Sequence, residues 1–200
     1  MEEVAQFLTY YCLALVQLDA ESVVVLRGCC TVFSVLPTVL CDPGEAFLTL
    51  PSFHAGFPSI SHLYAKVELI NVHRDSEITE VNTHLFQLTV DQLVKALLEA
   101  RLKGEKGKGP VLINPQNPLG GIYSRDSLKE YLESVKRYTL PVIIDEIYIE
   151  TVFDESVTFH SVLTAGSSFD PNRTHIIWGT SKDLGISDFI LVLGIPTTRR

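Results

Sequence analysis

The sequence predicts an α/β fold: a mostly parallel β-sheet covered by helices on both faces, in three layers, α/β/α. Three observations support this prediction. Short runs rich in β-branched residues recur along the chain. Several of them are apolar at consecutive positions, which is typical of strands buried on both faces. Amphipathic helical patterns lie between runs, and parallel strands need such long crossover connections.

The ends of the predicted strands locate the candidate site. These strands cover residues 22–26, 46–50, 67–72, 110–115, 141–146 and 175–179, and the apolar run 189–196 is also compatible with a strand. No internal repeat, low-complexity segment or linker divides the sequence. We therefore expect one domain, or part of one.

Three helices are predicted between these strands. Residues 89–103 place leucines on one face, and Thr89 with Gln92 forms a capping box. Residues 124–137 repeat the amphipathic pattern. A third helix follows Gly28, and Pro37 is expected to kink it or end it early. The basic stretch 101–109, RLKGEKGKG, is interpreted as a helix end that runs into a solvated loop.

Composition excludes several classes of function. The 200 residues are 46% hydrophobic and 20% charged, which is typical of a soluble globular chain. The formal net charge of −8 argues against binding to nucleic acid or to an anionic membrane, because either needs a basic surface. The N-terminus is acidic and its apolar positions are interrupted, unlike a secretory signal. No run approaches the roughly 20 apolar residues of a membrane span.

Four cysteines indicate the cellular compartment. Cys12, Cys29, Cys30 and Cys41 show no CxxC spacing, which disfavours a zinc site or a simple disulfide framework. We expect them to be small core residues in a reducing, cytoplasmic setting.

Unusual residues collect immediately after the predicted strands, where an open α/β sheet binds its ligands. After the first strand, Gly28 makes a tight turn and opens a helix. The backbone N–H groups of Cys30 and Thr31, with the Thr31 hydroxyl, would form an anion site at that helix N-terminus. The alternative is an ordinary strand-to-helix turn with a glycine and a capping threonine.

Three later strand ends carry polar side chains. Two X-Pro units restrict the loop that presents the amide of Asn117, a donor suited to a phenolate oxygen. Asp145 ends an apolar strand, where a carboxylate needs a partner such as a protonated pyridine nitrogen. Tyr148, which follows Asp145, lies close enough to help Asn117 hold such a ring. The alternatives are a plain turn around Asn117 and an Asp145 that caps the next helix.

Lys182 follows the strand at 175–179. Most lysines are solvated, and that is the alternative for this one. A desolvated lysine amine at a strand end, however, is the group that forms Schiff bases with carbonyl compounds.

These motifs, in this order, resemble a known family. INPQNPLG, VIIDEIY and SKDLG are similar to the fold-type-I pyridoxal-phosphate enzymes of the class I and II aminotransferases. GEAFLTLPSFHAGF, NPLGGIYS and SKDLG are most similar to 1-aminocyclopropane-1-carboxylate synthase and to its vertebrate synthase-like homologues. The resemblance spans roughly residues 10–189 and predicts the large, cofactor-binding domain of that fold.

The resemblance implies a role for each strand-end residue. Lys182 would be the lysine that bonds pyridoxal 5'-phosphate, with Ser181 beside it in the cofactor site. Asp145 would pair with the pyridine nitrogen, and Asn117 with Tyr148 would bind the ring hydroxyl oxygen. The bound cofactor would act as an electron sink for amino-acid chemistry.

Other positions match less completely. Cys30 and Thr31 would contact the phosphate, and His54, or Phe53 if the alignment shifts by one, would stack on the cofactor ring. The family has a serine three residues before the lysine and an arginine eight residues after it, both on the phosphate. Gly179 and Ile190 occupy these positions here. We therefore expect weak or lost cofactor binding, because arginine contacts to phosphate are strong.

Two classes of function follow. In the first, the chain is a truncated and impaired pyridoxal-phosphate-dependent aminotransferase or synthase. We then expect residues 1–200 to form a partial large domain without the small C-terminal domain. The alternative is a catalytically silent homologue that serves as a binding or interaction module. The resemblance implies an amino-acid substrate and a homodimer or a dimer with a full-length relative. A third interpretation is an unrelated doubly wound binding domain. It requires that Asn117, Asp145, Tyr148 and Lys182 occur at strand ends in this order by coincidence.

Overall fold

The computed structural model describes residues 1–49, 67–72, 88–118, 120–186 and 190–194. The helices are α1 Glu2–Tyr11, α2 Cys29–Leu40, α3 Val90–Leu102, α4 Arg125–Arg137 and the one-turn α5 Thr180–Asp183. The strands are β1 Val23–Leu26, β2 Glu45–Thr49, β3 Glu68–Asn71, β4 Lys106–Ile113, β5 Val142–Asp145, β6 Thr174–Gly179 and β7 Ile190–Gly194. Each predicted strand and helix therefore has a counterpart.

The strands form one sheet in the order β1-β7-β6-β5-β4-β2-β3. The neighbours from β3 to β6 are parallel, whereas β7 runs antiparallel to both β6 and β1. Because β7 reverses direction between them, β1 runs the same way as β6. The prediction of a mostly parallel sheet is confirmed.

Apolar side chains cover both faces of the sheet. Strand β5 shows the alternation, with Val142 and Ile144 in one core cluster and Ile143 in the other, all three fully buried. The first cluster packs against α1, α3 and α4, and the second packs against α2. Each fully buried aliphatic side chain of this kind contributes roughly 1.5–3 kcal/mol of transfer free energy. The three-layer α/β/α architecture follows from this two-sided burial.

Helices α3 and α4 each begin at a capping residue, and the sequence predicts the one at α3. The Thr89 hydroxyl accepts a hydrogen bond from the Gln92 N–H at 3.3 Å, and Gln92 Oε1 accepts one from the Thr89 N–H at 3.0 Å. Ser124 Oγ accepts from the Ser127 N–H at the start of α4. These bonds satisfy amides that have no partner inside the helix. The predicted capping box is confirmed.

The prediction for residues 101–109 is correct for the helix end and the exposed turn up to Glu105, and wrong for the loop beyond it. Helix α3 ends at Leu102, but β4 already begins at Lys106 and pairs in parallel with β2. Across this pair, Lys108 Nζ lies 2.9 Å from Glu45 Oε2. Glycine and lysine are depleted in strands, so the pairing of β4 with β2 overrides local propensity here.

Helix α2 does not end early at Pro37. It continues to Leu40, and the Cys41 N–H then donates to the Pro37 carbonyl at 2.9 Å. Proline removes one hydrogen bond of the last turns, yet the apolar face of α2 packs against the second core cluster. Tertiary packing therefore extends the helix beyond the proline.

Two cysteines are free thiols in the described part of the chain, as a core role predicts. Cys12 is buried in the first cluster, and Cys41 packs at the edge of the second. Burial raises the pKa of the Cys12 thiol far above its usual range and that of Cys41 to about 12. Both side chains are consequently thiols rather than thiolates at neutral pH.

Among the described residues, none of the helices has the length and apolar content needed to cross a membrane.

Candidate functional site

The carboxyl ends of β1, β4, β5 and β6 lie at one edge of the sheet, because these four strands run in the same direction. The register places Ile113, the last residue of β4, beside Asp145, the last residue of β5. Asp145 in turn lies beside Ile177 of β6. The carboxyl ends of β4, β5 and β6 are therefore adjacent.

Asp145 is a buried carboxyl in the middle of this edge. It is 4% exposed, and its Oδ1 accepts a hydrogen bond from the Ile147 N–H at 3.1 Å. Burial raises the pKa of Asp145 from 3.8 to about 7, and the Ile147 hydrogen bond opposes this only in part. A nearby cation would favour the ionised form.

The contact with Ile147 also decides between two roles for Asp145. Its carboxyl bonds to an amide two residues ahead, as in an Asx turn. The next helical segment is the 3-10 turn Ile149–Thr151, and its N-cap is Tyr148. Asp145 is therefore not the cap of a following helix.

Asn117 and Tyr148 are brought together as predicted. Asn117 Nδ2 donates to the Tyr148 hydroxyl oxygen at 2.9 Å. Asn117 belongs to the loop after β4, whereas Tyr148 follows β5, so the contact joins two strand ends. The Asn117 amide and the Tyr148 hydroxyl, which both suit a phenolate oxygen, therefore lie next to each other.

The loop that carries Asn117 is held by Asn114, which is fully buried. Asn114 Oδ1 accepts from the Tyr123 N–H at 3.0 Å, and its Nδ2 donates to the His160 carbonyl at 3.3 Å. The peptide bonds from Asn114 and Asn117 to the following prolines are cis. The anchored loop fixes where the Asn117 amide can point.

Lys182 lies on α5, directly after β6. Its Nζ is 5.8 Å from the centroid of the Tyr148 ring, within the range of a cation–π contact. The side chain is exposed, unlike the desolvated lysine that the sequence suggests. The difference arises because the chain leaves the buried strand at Gly179 and turns outward into α5. Ser181 precedes it on the same turn and is half-buried.

The start of α2 differs in detail from the predicted anion site. Gly28 caps the helix with a φ of 83°, a conformation that favours glycine, and Cys30 follows in the first turn. The Thr31 N–H donates to the Gly28 carbonyl, and the Thr31 hydroxyl donates to the Arg27 carbonyl. Both Thr31 donors that were expected to be available for phosphate are engaged with backbone.

Gly179 and Ile190 face each other across the antiparallel pair of β6 and β7. Ile190 is also the partner of Leu26 at the end of β1, two residues before Gly28. The two positions that depart from the family pattern therefore lie beside the start of α2. Neither residue carries a polar side chain.

His54 and its alternative Phe53 lie outside the described residues. Within the described ranges, groups of three or more histidine, cysteine or acidic side chains that could hold a metal ion do not occur.

Sequence reasoning missed Glu146, which is 1% exposed. Its carboxylate accepts hydrogen bonds from Ser161 Oγ at 2.6 Å and from the Val162 N–H at 2.8 Å. Burial raises the pKa of Glu146 to about 7, against the effect of these hydrogen bonds and together with the nearby Asp145 charge. Only its position next to Asp145 signalled a role, since its partners are 15 and 16 residues away in sequence.

Asp183 was also missed. It accepts hydrogen bonds from Trp178 Nε1 at 2.8 Å, from the Glu150 N–H at 3.2 Å and from the Tyr11 hydroxyl at 3.4 Å. Nothing in the sequence marks it except that it follows Lys182.

The sheet order and the helices that cover the sheet define an α/β domain of the aminotransferase fold. The family model "Aminotransferase class I and II" matches residues 1–189, and the chain belongs to this family. Among solved structures, the aromatic aminotransferase from Pyrococcus horikoshii superposes with a TM-score of 0.78 at 22% identity, covering 96% of this chain and 48% of that chain. The aspartate aminotransferase from Rhizobium meliloti gives 0.78 at 18% identity, covering 96% and 44%. At these identities the superpositions establish the fold.

Sequence relatives narrow the resemblance within the family. The chain is 68% identical over 188 residues to the "probable inactive 1-aminocyclopropane-1-carboxylate synthase-like protein 2" of Homo sapiens, covering 94% of the chain and 33% of that protein. It is 50% identical over 186 residues to "1-aminocyclopropane-1-carboxylate synthase-like protein 1" of Bos taurus, covering 93% and 37%. The resemblance to synthase-like proteins is confirmed. The chain spans about a third of the length of these relatives.

Proposed function

We propose that this chain carries a pyridoxal-phosphate-binding site of an aminotransferase or synthase-like protein that acts on amino acids, and that its catalysis is impaired. The proposal is supported by residues that lie near the carboxyl ends of the three neighbouring strands β4, β5 and β6. Buried Asp145 lies at the same sheet edge as the hydrogen-bonded pair of Asn117 and Tyr148, with Lys182 over the Tyr148 ring. We place the protein in the cytoplasm, in keeping with its free cysteines.

The residues present fit the ring of this cofactor. Burial raises the pKa of the Asp145 carboxyl, and within the described residues the Ile147 N–H, rather than a cation, opposes this shift. A protonated pyridine nitrogen would supply that cation and would be held there by the carboxylate. The Asn117 amide and the Tyr148 hydroxyl would orient the ring through its phenolic oxygen.

Lys182 would hold the aldehyde end of the cofactor through its amine, which reaches the open side of the site. When bound, pyridoxal phosphate supplies an electron sink for bonds at the α-carbon of an amino acid. The chain contributes orientation: the ring oxygen, the ring nitrogen and the aldehyde each meet a residue from a different strand end.

Binding should be weak on the phosphate side. Gly179 has no side chain and Ile190 has no polar one, and the Thr31 donors already bond to backbone. An arginine–phosphate contact is among the strong hydrogen bonds available to a protein. Losing it lowers affinity and loosens the cofactor, which supports a protein of low or no activity.

The test is a titration with pyridoxal phosphate followed by borohydride reduction and peptide mass spectrometry. We expect a protein-bound absorbance band and a reduced adduct at Lys182, neither of which forms in Lys182→Ala. Lys129→Ala, which removes an exposed lysine on α4, is the matched control and should label normally. Ile190→Arg should tighten binding about 10- to 150-fold, from the roughly 1.5–3 kcal/mol of a hydrogen bond to a charged group. Labelling of the Lys182→Ala variant at the wild-type level would remove the proposal.

The second candidate is a silent homologue that acts as an interaction module. It is favoured by apolar side chains exposed at the end of α1 and just after it: Tyr10 at 72%, Leu13 at 75% and Val16 at 75%. Such surface tends to associate. A chain that forms dimers in sedimentation experiments but shows no adduct at Lys182 would favour this candidate over the first.

A further inference from the structure

The helix that carries Lys182 needs an external anchor. A helix of four residues, as α5 is, has too few hydrogen bonds to be stable alone. Its end is closed by two bonds to the Thr180 carbonyl, from the N–H groups of Leu184 at 2.9 Å and Ile186 at 3.2 Å. These local bonds shape the turn but do not orient it against the sheet. The direction of Lys182 must therefore come from a tertiary contact.

Asp183 makes that contact, with donors on three separate elements. Its Oδ2 accepts from Trp178 Nε1 of β6 at 2.8 Å and from the Tyr11 hydroxyl of α1 at 3.4 Å. Its Oδ1 accepts from the Glu150 N–H at 3.2 Å, in the 3-10 turn that begins after Tyr148. Hydrogen bonds to an ionised acceptor are stronger than neutral ones. Asp183 therefore ties α5 to the sheet, to the turn and to α1.

The geometry of the helix separates the roles of the two neighbours. Successive helical residues point about 100° apart, as 3.6 residues per turn require. Asp183 is half-buried toward the protein, whereas Lys182 is exposed and reaches over the Tyr148 ring. Because Glu150 follows Tyr148 by two residues, its bond to Asp183 links the segment of Lys182 to the segment of Tyr148. The amine and the ring on these two segments are 5.8 Å apart.

We infer that Asp183 is a positioning residue for Lys182, and that through Tyr11 and Trp178 it makes helix α1 part of the support of the cofactor lysine. Phe7 and Tyr11 of α1 stack at 4.9 Å, and both rings lie 5.8 Å from Trp178, so the support is a packed aromatic cluster. The inference rests on the proposed function of Lys182. It assigns no contact between Asp183 and the cofactor itself.

Both carboxylate oxygens are used, which predicts a graded series of variants. Asp183→Ala removes all three bonds. Asp183→Asn keeps one acceptor oxygen and turns an N–H2 group toward a donor, so it should be intermediate. Tyr11→Phe removes the longest of the three bonds, at 3.4 Å, together with the hydrogen bond between Tyr11 and Glu150, and should have the smallest effect of the series. Glu155→Ala, which removes an exposed carboxyl from a turn, is the matched control.

The experiment measures the rate at which borohydride traps pyridoxal phosphate on Lys182 in the 200-residue chain, at saturating cofactor. Misplacing a reacting group by about 1 Å can lower a rate about 100-fold. We expect trapping at Lys182 to slow roughly 10- to 100-fold in Asp183→Ala, less in Asp183→Asn and by under about threefold in Tyr11→Phe. Trapping on other lysines, counted in the same digests, should not change, which separates positioning from general unfolding.

Amide hydrogen exchange provides a measurement that needs no cofactor. Asp183→Ala should speed exchange in residues 148–151 and 180–186 by about tenfold or more, with little change in β4 and β5. Trapping and exchange that both match wild type in Asp183→Ala would overturn the inference. If wild-type Lys182 is never trapped, the proposed function fails. Exchange then decides whether Asp183 anchors α5: faster exchange at these two segments supports the anchor, and unchanged exchange rejects it.

Discussion

Replacing Asp145 by asparagine should stabilise the cofactor-free chain at neutral and alkaline pH. Asparagine has the same shape and keeps the Oδ1 acceptor that bonds to the Ile147 N–H at 3.1 Å. It removes a charge that burial disfavours, because the Asp145 carboxyl is only 4% exposed. The residue that we assign to the cofactor ring is thus expected to weaken the fold when no cation accompanies it.

The magnitude follows from the pKa. Burial raises the pKa of Asp145 from 3.8 to about 7, so between these pH values the folded chain keeps a proton that the unfolded chain releases. Stability then falls by about 1.4 kcal/mol for each pH unit, or about 4 kcal/mol in all. The stabilising contribution is complete below about pH 4 and is lost as the pH rises to 7. Asp145→Asn should therefore gain about 4 kcal/mol at pH 8 and nothing near pH 4.

Urea unfolding from pH 4 to pH 9 measures this difference. Trp178 is the only tryptophan in the chain and is 1% exposed, so its fluorescence reports the loss of the core. In thermal melts, 4 kcal/mol corresponds to roughly 8–16 °C for a chain of this size. Glu155→Gln makes the same change of charge on an exposed turn and should shift stability little. An Asp145→Asn variant that is less stable than wild type at pH 8, by an amount independent of pH, would refute the reasoning.

Two further predictions concern the scaffold. Gly109→Ala should lower the free energy of unfolding by about 1–3 kcal/mol, because a Cβ there would lie 1.9 Å from the Pro141 carbonyl oxygen. The urea midpoint should fall accordingly, and an unchanged midpoint would contradict this close approach. Tyr131→Phe should leave the free energy of unfolding unchanged or raise it by up to about 1 kcal/mol, since the buried Tyr131 hydroxyl has no partner in the described ranges. Calorimetry measures this difference. A clear loss of stability would show that the hydroxyl is bonded.

Most of the fold could be predicted from the sequence because its signals are local. Consecutive apolar positions in β5 can only be buried on both faces, and Thr89 with Gln92 caps α3 through bonds three residues apart. The failures occurred where a distant partner decides the outcome. Lys106 and Gly107 look like loop residues until β2 pairs with them.

The candidate site shows the same division. The positions of Asn117, Asp145 and Tyr148 could be predicted because each lies at or shortly after the carboxyl end of a strand, and parallel strands bring these ends together. The exposure of Lys182 could not be predicted, since it depends on how α5 turns away from the sheet. The contacts of Asp183 could not be predicted either, because its donor Tyr11 lies 172 residues away in sequence.

The position of β7 in the sheet has a consequence for synthesis on the ribosome. Strand β1 joins the described sheet through β7 alone, and Leu26 pairs with Ile190. At about 5–20 residues per second, roughly 8 to 33 seconds separate the emergence of these two partners. During that interval the backbone groups of β1 that β7 will pair lack their partner, and an unpaired strand edge invites association with other chains. Strand β1 therefore reaches its final surroundings only after β7 has emerged, and chaperone protection of this early strand would matter until then.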